Sequence, residues 1–173
     1  SSLIGTYNNV LVMQLTNATL LFLDIQSGDL IKVLHLNTSA ALPQGMFYDD
    51  AFPPEIVDNY LVWLNNQRLL KIDLDSYAID VIKDFYNEPK EQQFRFMHST
   101  VFDDKIYFVA DFGWQYVTPS RVGVMDYKTG EVIWQTQLEK TGGLPEPPQV
   151  TKNNLYIRTA KGDLFVFDKS DQP

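Results

Sequence analysis

The chain has 173 residues, 45% of them hydrophobic and 13% aromatic, enough for a sizeable core in one domain. Its 14 basic and 22 acidic residues give a formal charge of −8; that balance argues against nucleic acid, whose phosphates need Lys and Arg, and suits a basic partner. There is no cysteine, which excludes disulfides, zinc–thiolate sites and thiol catalysis, and no apolar run approaches the ~18 residues of a membrane span.

Read in chain order, four segments share one grammar: a polar pair, an apolar strand, a second strand ending in Asp, a turn and a third strand. The first is Asn8-Asn9, VLVMQL and TLLFLDIQSGDLIKVLHL, with its turn from Asp24 to Gly28. The second is Asp58-Asn59, YLVWLN and RLLKIDLDSYAIDVIKDF, anchored at Asp73. Here Tyr77 stands where glycine belongs, and a left-handed Tyr costs about 1–2 kcal/mol, so a different turn is expected. The third is Asp103-Asp104, KIYFVADF and Val122–Leu138, VGVMDYKTGEVIWQTQL. Asp126 is placed to accept a backbone N–H two residues on, and Gly130 to take the left-handed conformation that closes the hairpin. The fourth is Asn153-Asn154 and LYIRTAKGDLFVFD, ending at Asp168 with no room for a further strand before Pro173.

Asp24, Asp73, Asp126 and Asp168 are spaced by 49, 53 and 42 residues. A further short strand precedes three of the polar pairs (Pro54–Val57, His98–Phe102, Pro148–Thr151), and Ser2–Tyr7 is its counterpart in the first unit. A period of ~40–50 residues with four strands is that of propeller blades. The fold class expected is therefore all-β, a β-propeller of about four four-stranded blades: units 1–36, 53–85, 97–138 and 147–173. They form a single domain, or a portion of a larger or jointly closed ring. The strands are apolar on both faces (Leu20 and Phe22 against Leu21 and Leu23, Leu164 and Val166 against Phe165 and Phe167), as stacked sheets require. The last unit lacks a fourth strand, and such an edge invites pairing.

Val124, Asp126, Thr129, Gly130 and Trp134 resemble the quinoprotein-type (PQQ-like) propeller repeat, A-x-D-x-x-T-G-x-x-x-W, with Val for the alanine. In that family the Gly and Trp dock neighbouring blades. Gly28 matches in the first unit, but Lys32 and Val81 stand at the Trp position of the first two. The resemblance makes Asp24, Gly28, Asp73, Asp126, Thr129, Gly130, Trp134 and Asp168 structural. Family members that bind the quinone use calcium, a catalytic aspartate and often adjacent cysteines; this chain has no cysteine, and no cofactor or metal is expected.

The tight turns share one rim. The long connections 37–53, 86–96, 112–120 and 139–147 gather at the other, with Met46, Phe47, Tyr48, Phe52, Phe94, Phe96, Trp114 and Tyr116 on them and Arg95 and Arg121 close by. Aromatic residues, Met and Arg are what binding hot spots use, so that rim is the expected partner site. The competing expectation is that these aromatics cover blade ends. His35 reads as a strand residue. His98 begins an inner strand, where it would line a channel with Asp111. Asp49-Asp50 and Asp103-Asp104 are neighbours on the chain and point apart, so neither is a ready acid–base couple. No phosphate loop, dinucleotide fingerprint, zincin motif or nucleophile elbow is present.

The expected function is that of a non-catalytic, protein-binding propeller, bacterial by its resemblance, in cytoplasm or periplasm. It would act as an interaction scaffold of the kind found in outer-membrane assembly, or as an immunity protein masking a bacterial toxin. A degenerate or partial quinoprotein dehydrogenase is the rival from the enzyme class.

Overall fold

The computed structural model describes residues 1–15, 19–36, 53–65, 67–89, 94–112, 120–138 and 144–169. Among them are fifteen strands and a 3-10 turn at Phe85–Asn87. Strands β1 (Ser2–Tyr7), β2 (Val10–Leu15), β3 (Thr19–Asp24) and β4 (Leu30–His35) form one sheet in that order. Strands β5 (Glu55–Val57), β6 (Tyr60–Asn65), β7 (Arg68–Asp73) and β8 (Ile79–Asp84) form the second. The third is β9 (Phe94–Phe102), β10 (Lys105–Phe112), β11 (Arg121–Asp126) and β12 (Val132–Gln137). The fourth has three strands, β13 (Gln149–Val150), β14 (Asn154–Arg158) and β15 (Leu164–Asp168). Neighbours in sequence are neighbours in each sheet, as short turns dictate.

In the first three sheets the polar pairs are the tight turns between the first two strands; in the fourth, Asn154 already opens β14. Asn8, Asp58, Asp103 and Asp104 have φ of 51°, 53°, 48° and 57°, a region that Asn and Asp tolerate best after glycine.

The chain divides into two compact units, Ser1–Ile82 and Lys83–Pro173, with the division inside β8. In the first, Val12, Leu20, Phe22 and Leu36 of one sheet pack with Leu61, Trp63, Leu70 and Ile72 of the next. In the second, Tyr107, Val109, Val122, Val124 and Leu138 pack with Leu155 and Ile157. Burial on both faces holds for β6, where Leu61 to Leu64 are all buried, and for β11 from Val122 to Met125. It fails for β15. Leu164 and Val166 are 62% and 54% exposed, while Phe165 and Phe167 pack inward. This corrects the expectation of two greasy faces there: β15 is the last strand of its sheet and is packed on one side only.

Two further expectations are corrected. The segment 86–96 is not a loop to its end, because β9 begins at Phe94. The turn at Tyr77 is also not of another type. The Tyr77 N–H donates to the Asp73 carbonyl at 2.8 Å, as Gly28 does to Asp24 (2.9 Å) and Gly130 to Asp126 (2.8 Å). Tyr77 takes φ 61°, and its ring meets the edge of Phe22 at 4.9 Å. Aromatic packing offsets backbone strain of about 1–2 kcal/mol. Urea unfolding of two variants separates the terms. Tyr77→Ala keeps the strain and loses the ring, so it is the least stable. Tyr77→Gly loses the ring but relieves the backbone, and recovers about 1 kcal/mol relative to Ala. Equal stability of the two would refute the strain.

Candidate functional site

The end of the first unit that carries the tight turns is a network of carboxylates tied to the backbone. Oδ1 of Asp24 accepts from the N–H groups of Gln26 (2.9 Å) and Ser27 (2.8 Å). Asp73 does the same for Asp75 (3.0 Å) and Ser76 (2.7 Å). The Ser27 and Ser76 N–H bonds are the main cause holding both carboxyls below the usual range. Asn9 donates to Asp24 at 2.8 Å, and the Tyr7 hydroxyl donates to Asp75 at 3.2 Å. Burial and then the Asp75 charge push the Tyr7 phenol up. In the third sheet Asp126 accepts from Lys128 (2.8 Å) and Thr129 (2.9 Å), and the Thr129 hydroxyl in turn accepts from the Glu131 N–H at 3.2 Å. These aspartates spend their acceptor capacity on holding turns. Asp168 ends β15 opposite Asn154, and the Lys169 N–H that follows donates to the Asn153 carbonyl at 2.8 Å.

The residues expected on the partner-binding rim divide three ways. Met46, Phe47, Tyr48, Phe52, Trp114 and Tyr116 lie outside the described residues, as does Asp49-Asp50. Phe94 and Phe96 are core, 1% and 2% exposed. With Phe85 and Phe108 they form a cluster whose ring centroids are 5.0–5.8 Å apart. Arg95 and Arg121 are half-buried at the same end of the third sheet, because β10 sets Asp111 opposite Arg95 and Ala110 opposite Arg121. The Arg121 guanidinium donates to the Gln135 side chain at 3.3 Å.

Asp111 is buried and accepts from the Ser120 hydroxyl at 2.9 Å. His98 sits mid-strand opposite Val109 rather than at the start of its strand, which corrects its expected position. Arg95 is the residue facing Asp111. Burial lowers the His98 pKa, against the Pro145 backbone hydrogen bond and the Glu146 charge, which raise it. His35 is an exposed strand residue with Nδ1 at 3.1 Å from the Thr19 hydroxyl.

A groove of about 630 Å³ runs along β12 in the second unit. Phe85, Phe94 and Trp134 supply aromatic walls, and Lys83, Glu131 and Gln135 supply polar groups. Lys83 pairs with Glu88 at 2.5 Å, and the Trp134 ring meets the edge of Phe167 at 5.6 Å, which ties the third sheet to the fourth. β12 is the last strand of its sheet, so the groove borders a strand edge. The sequence marked Trp134 as a packing residue but carried no sign of the groove, since Lys83 and Phe85 are some fifty residues away. A buried polar group also went unmarked: Gln14 is 2% exposed, and neither atom of its amide has a hydrogen-bond partner. No group of three or more His, Asp or Glu among the described residues could hold a metal ion. No helix among the described residues is long and apolar enough to cross a membrane.

No protein-family model matches the chain, and no curated protein matches it. Solved structures do. The computationally designed Ika4 protein is 13% identical, with a TM-score of 0.61 over 97% of this chain and 91% of its own. BamB from Moraxella catarrhalis is 13% identical, with a TM-score of 0.54 over 95% of this chain and 59% of its own. The β-propeller domain of Cps50 (Swd1) from Myceliophteria thermophila is 12% identical, with a TM-score of 0.58 over 92% of this chain and 48% of its own. At such identities the likeness is one of fold: an all-β chain of antiparallel sheets similar to β-propellers.

Proposed function

We propose that the chain is a non-catalytic β-propeller module of four PQQ-like blades that binds another protein. The observation that carries this is the groove along β12. It offers what an extended peptide segment uses: a strand edge for main-chain hydrogen bonds, and the half-buried Trp134 ring, backed by the buried Phe85 and Phe94, for an apolar side chain. The charge of −8 and the Glu131 carboxylate in the groove favour a segment carrying Lys or Arg; a basic toxin domain is one partner of that charge. Arg95 and Arg121, half-buried at one end of the third sheet, form the second part of the surface, as interfaces enriched in Arg do.

Selection from a displayed library of random extended peptides tests this. The expected binders combine an aromatic with Lys or Arg. Glu131→Arg, at an exposed turn position, is expected to weaken them at least tenfold with an unchanged melting temperature. Binders indifferent to Glu131 would sink the groove as the site. Saturable quinone binding in the presence of calcium, with dye-reducing activity, would instead favour the dehydrogenase reading.

A further inference from the structure

The outer edges of the four sheets are not alike. β4 carries Lys32 at its exposed edge, and its pairing with β3 is broken by a bulge between Phe22 and Leu23. β8 carries Asp80, Lys83 and Asp84. β12 has a bulge in its pairing between Val124 and Met125. Charges and bulges of this kind keep a sheet edge from recruiting another strand. β15 has neither. Its pairing with β14 runs without a shift from Asn154–Asp168 to Arg158–Leu164. Its core, Leu164 to Phe167, holds no charge or proline, and no strand lies beyond it among the described residues. Leu164 and Val166 are more than half exposed on one of its faces.

The sequence of this strand is complementary to itself. In an antiparallel pair centred on Val166, Val166 meets Val166, Phe165 meets Phe167, and Leu164 meets Asp168. At each end Asp163 stands opposite Lys169, so charges of opposite sign face each other twice. Slipping the register by one residue in one direction sets Asp163 against Asp168, a like-charge pair. We propose that β15 pairs edge to edge with β15 of a second copy of this chain, in the register centred on Val166. The two three-stranded sheets then become one of six strands about a two-fold axis. This surface is distinct from the groove along β12, and the pairing does not depend on what that groove binds.

Sedimentation equilibrium of the 173-residue chain, in salt high enough to screen two charges of −8, is expected to give twice the 19.9 kDa monomer mass. Val166→Lys sets two ammonium groups against each other and is expected to yield monomer, with an unchanged circular dichroism spectrum because Val166 is a half-exposed surface position. The absence of cysteine permits a second readout. Val166→Cys is expected to form an intermolecular disulfide under mild oxidation, while Leu164→Cys, which faces Asp168, is not. A monomer at all concentrations overturns the proposal. So does a dimer that survives Val166→Lys, or equal cross-linking by the two cysteine variants.

Discussion

Gly123→Ala is expected to destabilise the second unit by about 2–3 kcal/mol, the upper part of the range for forcing a methyl into a packed core. A Cβ built at Gly123 would lie 2.4 Å and 2.8 Å from atoms of the Phe108 ring and 2.8 Å from the Trp134 carbonyl oxygen. Neither neighbour yields easily. Phe108 is fully buried against Phe94 and Phe96, and the Trp134 carbonyl belongs to the backbone of the adjacent strand β12. Strand propensity predicts the opposite sign, because glycine inside a strand is worse than alanine by roughly 0.5–1 kcal/mol. The direction of the change is therefore diagnostic. In a chain of this size the loss corresponds to a fall in melting temperature of about 5–10 °C. Phe108→Leu in the same background removes the ring contact and leaves the carbonyl one, so partial rescue is expected, seen as coupling in a double-mutant cycle. An unchanged melting temperature for Gly123→Ala would show that the close approach is not real.

Phe96→Ala carries the second large effect, a loss of about 3–5 kcal/mol, and it separates the two sequence expectations for this residue. A residue on an exposed binding rim could be truncated with little change in stability. Phe96 instead meets Phe85 at 5.0 Å and Phe108 at 5.2 Å, both edge to face, and stacks on Phe94 at 5.6 Å. Removing the ring leaves a cavity lined by three others, and aromatic pairs add about 0.5–1.5 kcal/mol each to the apolar area lost. Arg121→Ala, on β11 of the same sheet, removes a solvent-exposed hydrogen bond from a half-buried residue and is expected to stay within about 0.5 kcal/mol. Urea unfolding of the two variants reads the contrast. Similar midpoints would place Phe96 back on the surface.

The Asp-anchored turns were legible because their cause is local. A carboxylate at Asp24, Asp73 or Asp126 reaches N–H groups two and three residues on, and that geometry needs nothing from the rest of the chain. Tyr77 misled because the deciding contact, the Phe22 ring, comes from the neighbouring sheet. Phe94 and Phe96 misled for a related reason. The segment around them is polar and holds Pro89, which reads as loop. The extra length of β9 is set by its partner, since β10 continues to pair through Asp111 and Phe112.

The sequence by itself determined the number of repeats, the strand order within a sheet and, Tyr77 apart, the Asp-anchored turns, because short meanders follow from alternation and turn chemistry over a few residues. Only the tertiary structure decided which apolar faces are covered. Leu164 and Val166 alternate with Phe165 and Phe167 as Leu20 and Phe22 do with Leu21 and Leu23, yet Leu20 and Phe22 are fully buried and Leu164 and Val166 are open. Burial is a property of what a neighbouring sheet places against a strand, and periodicity cannot carry that.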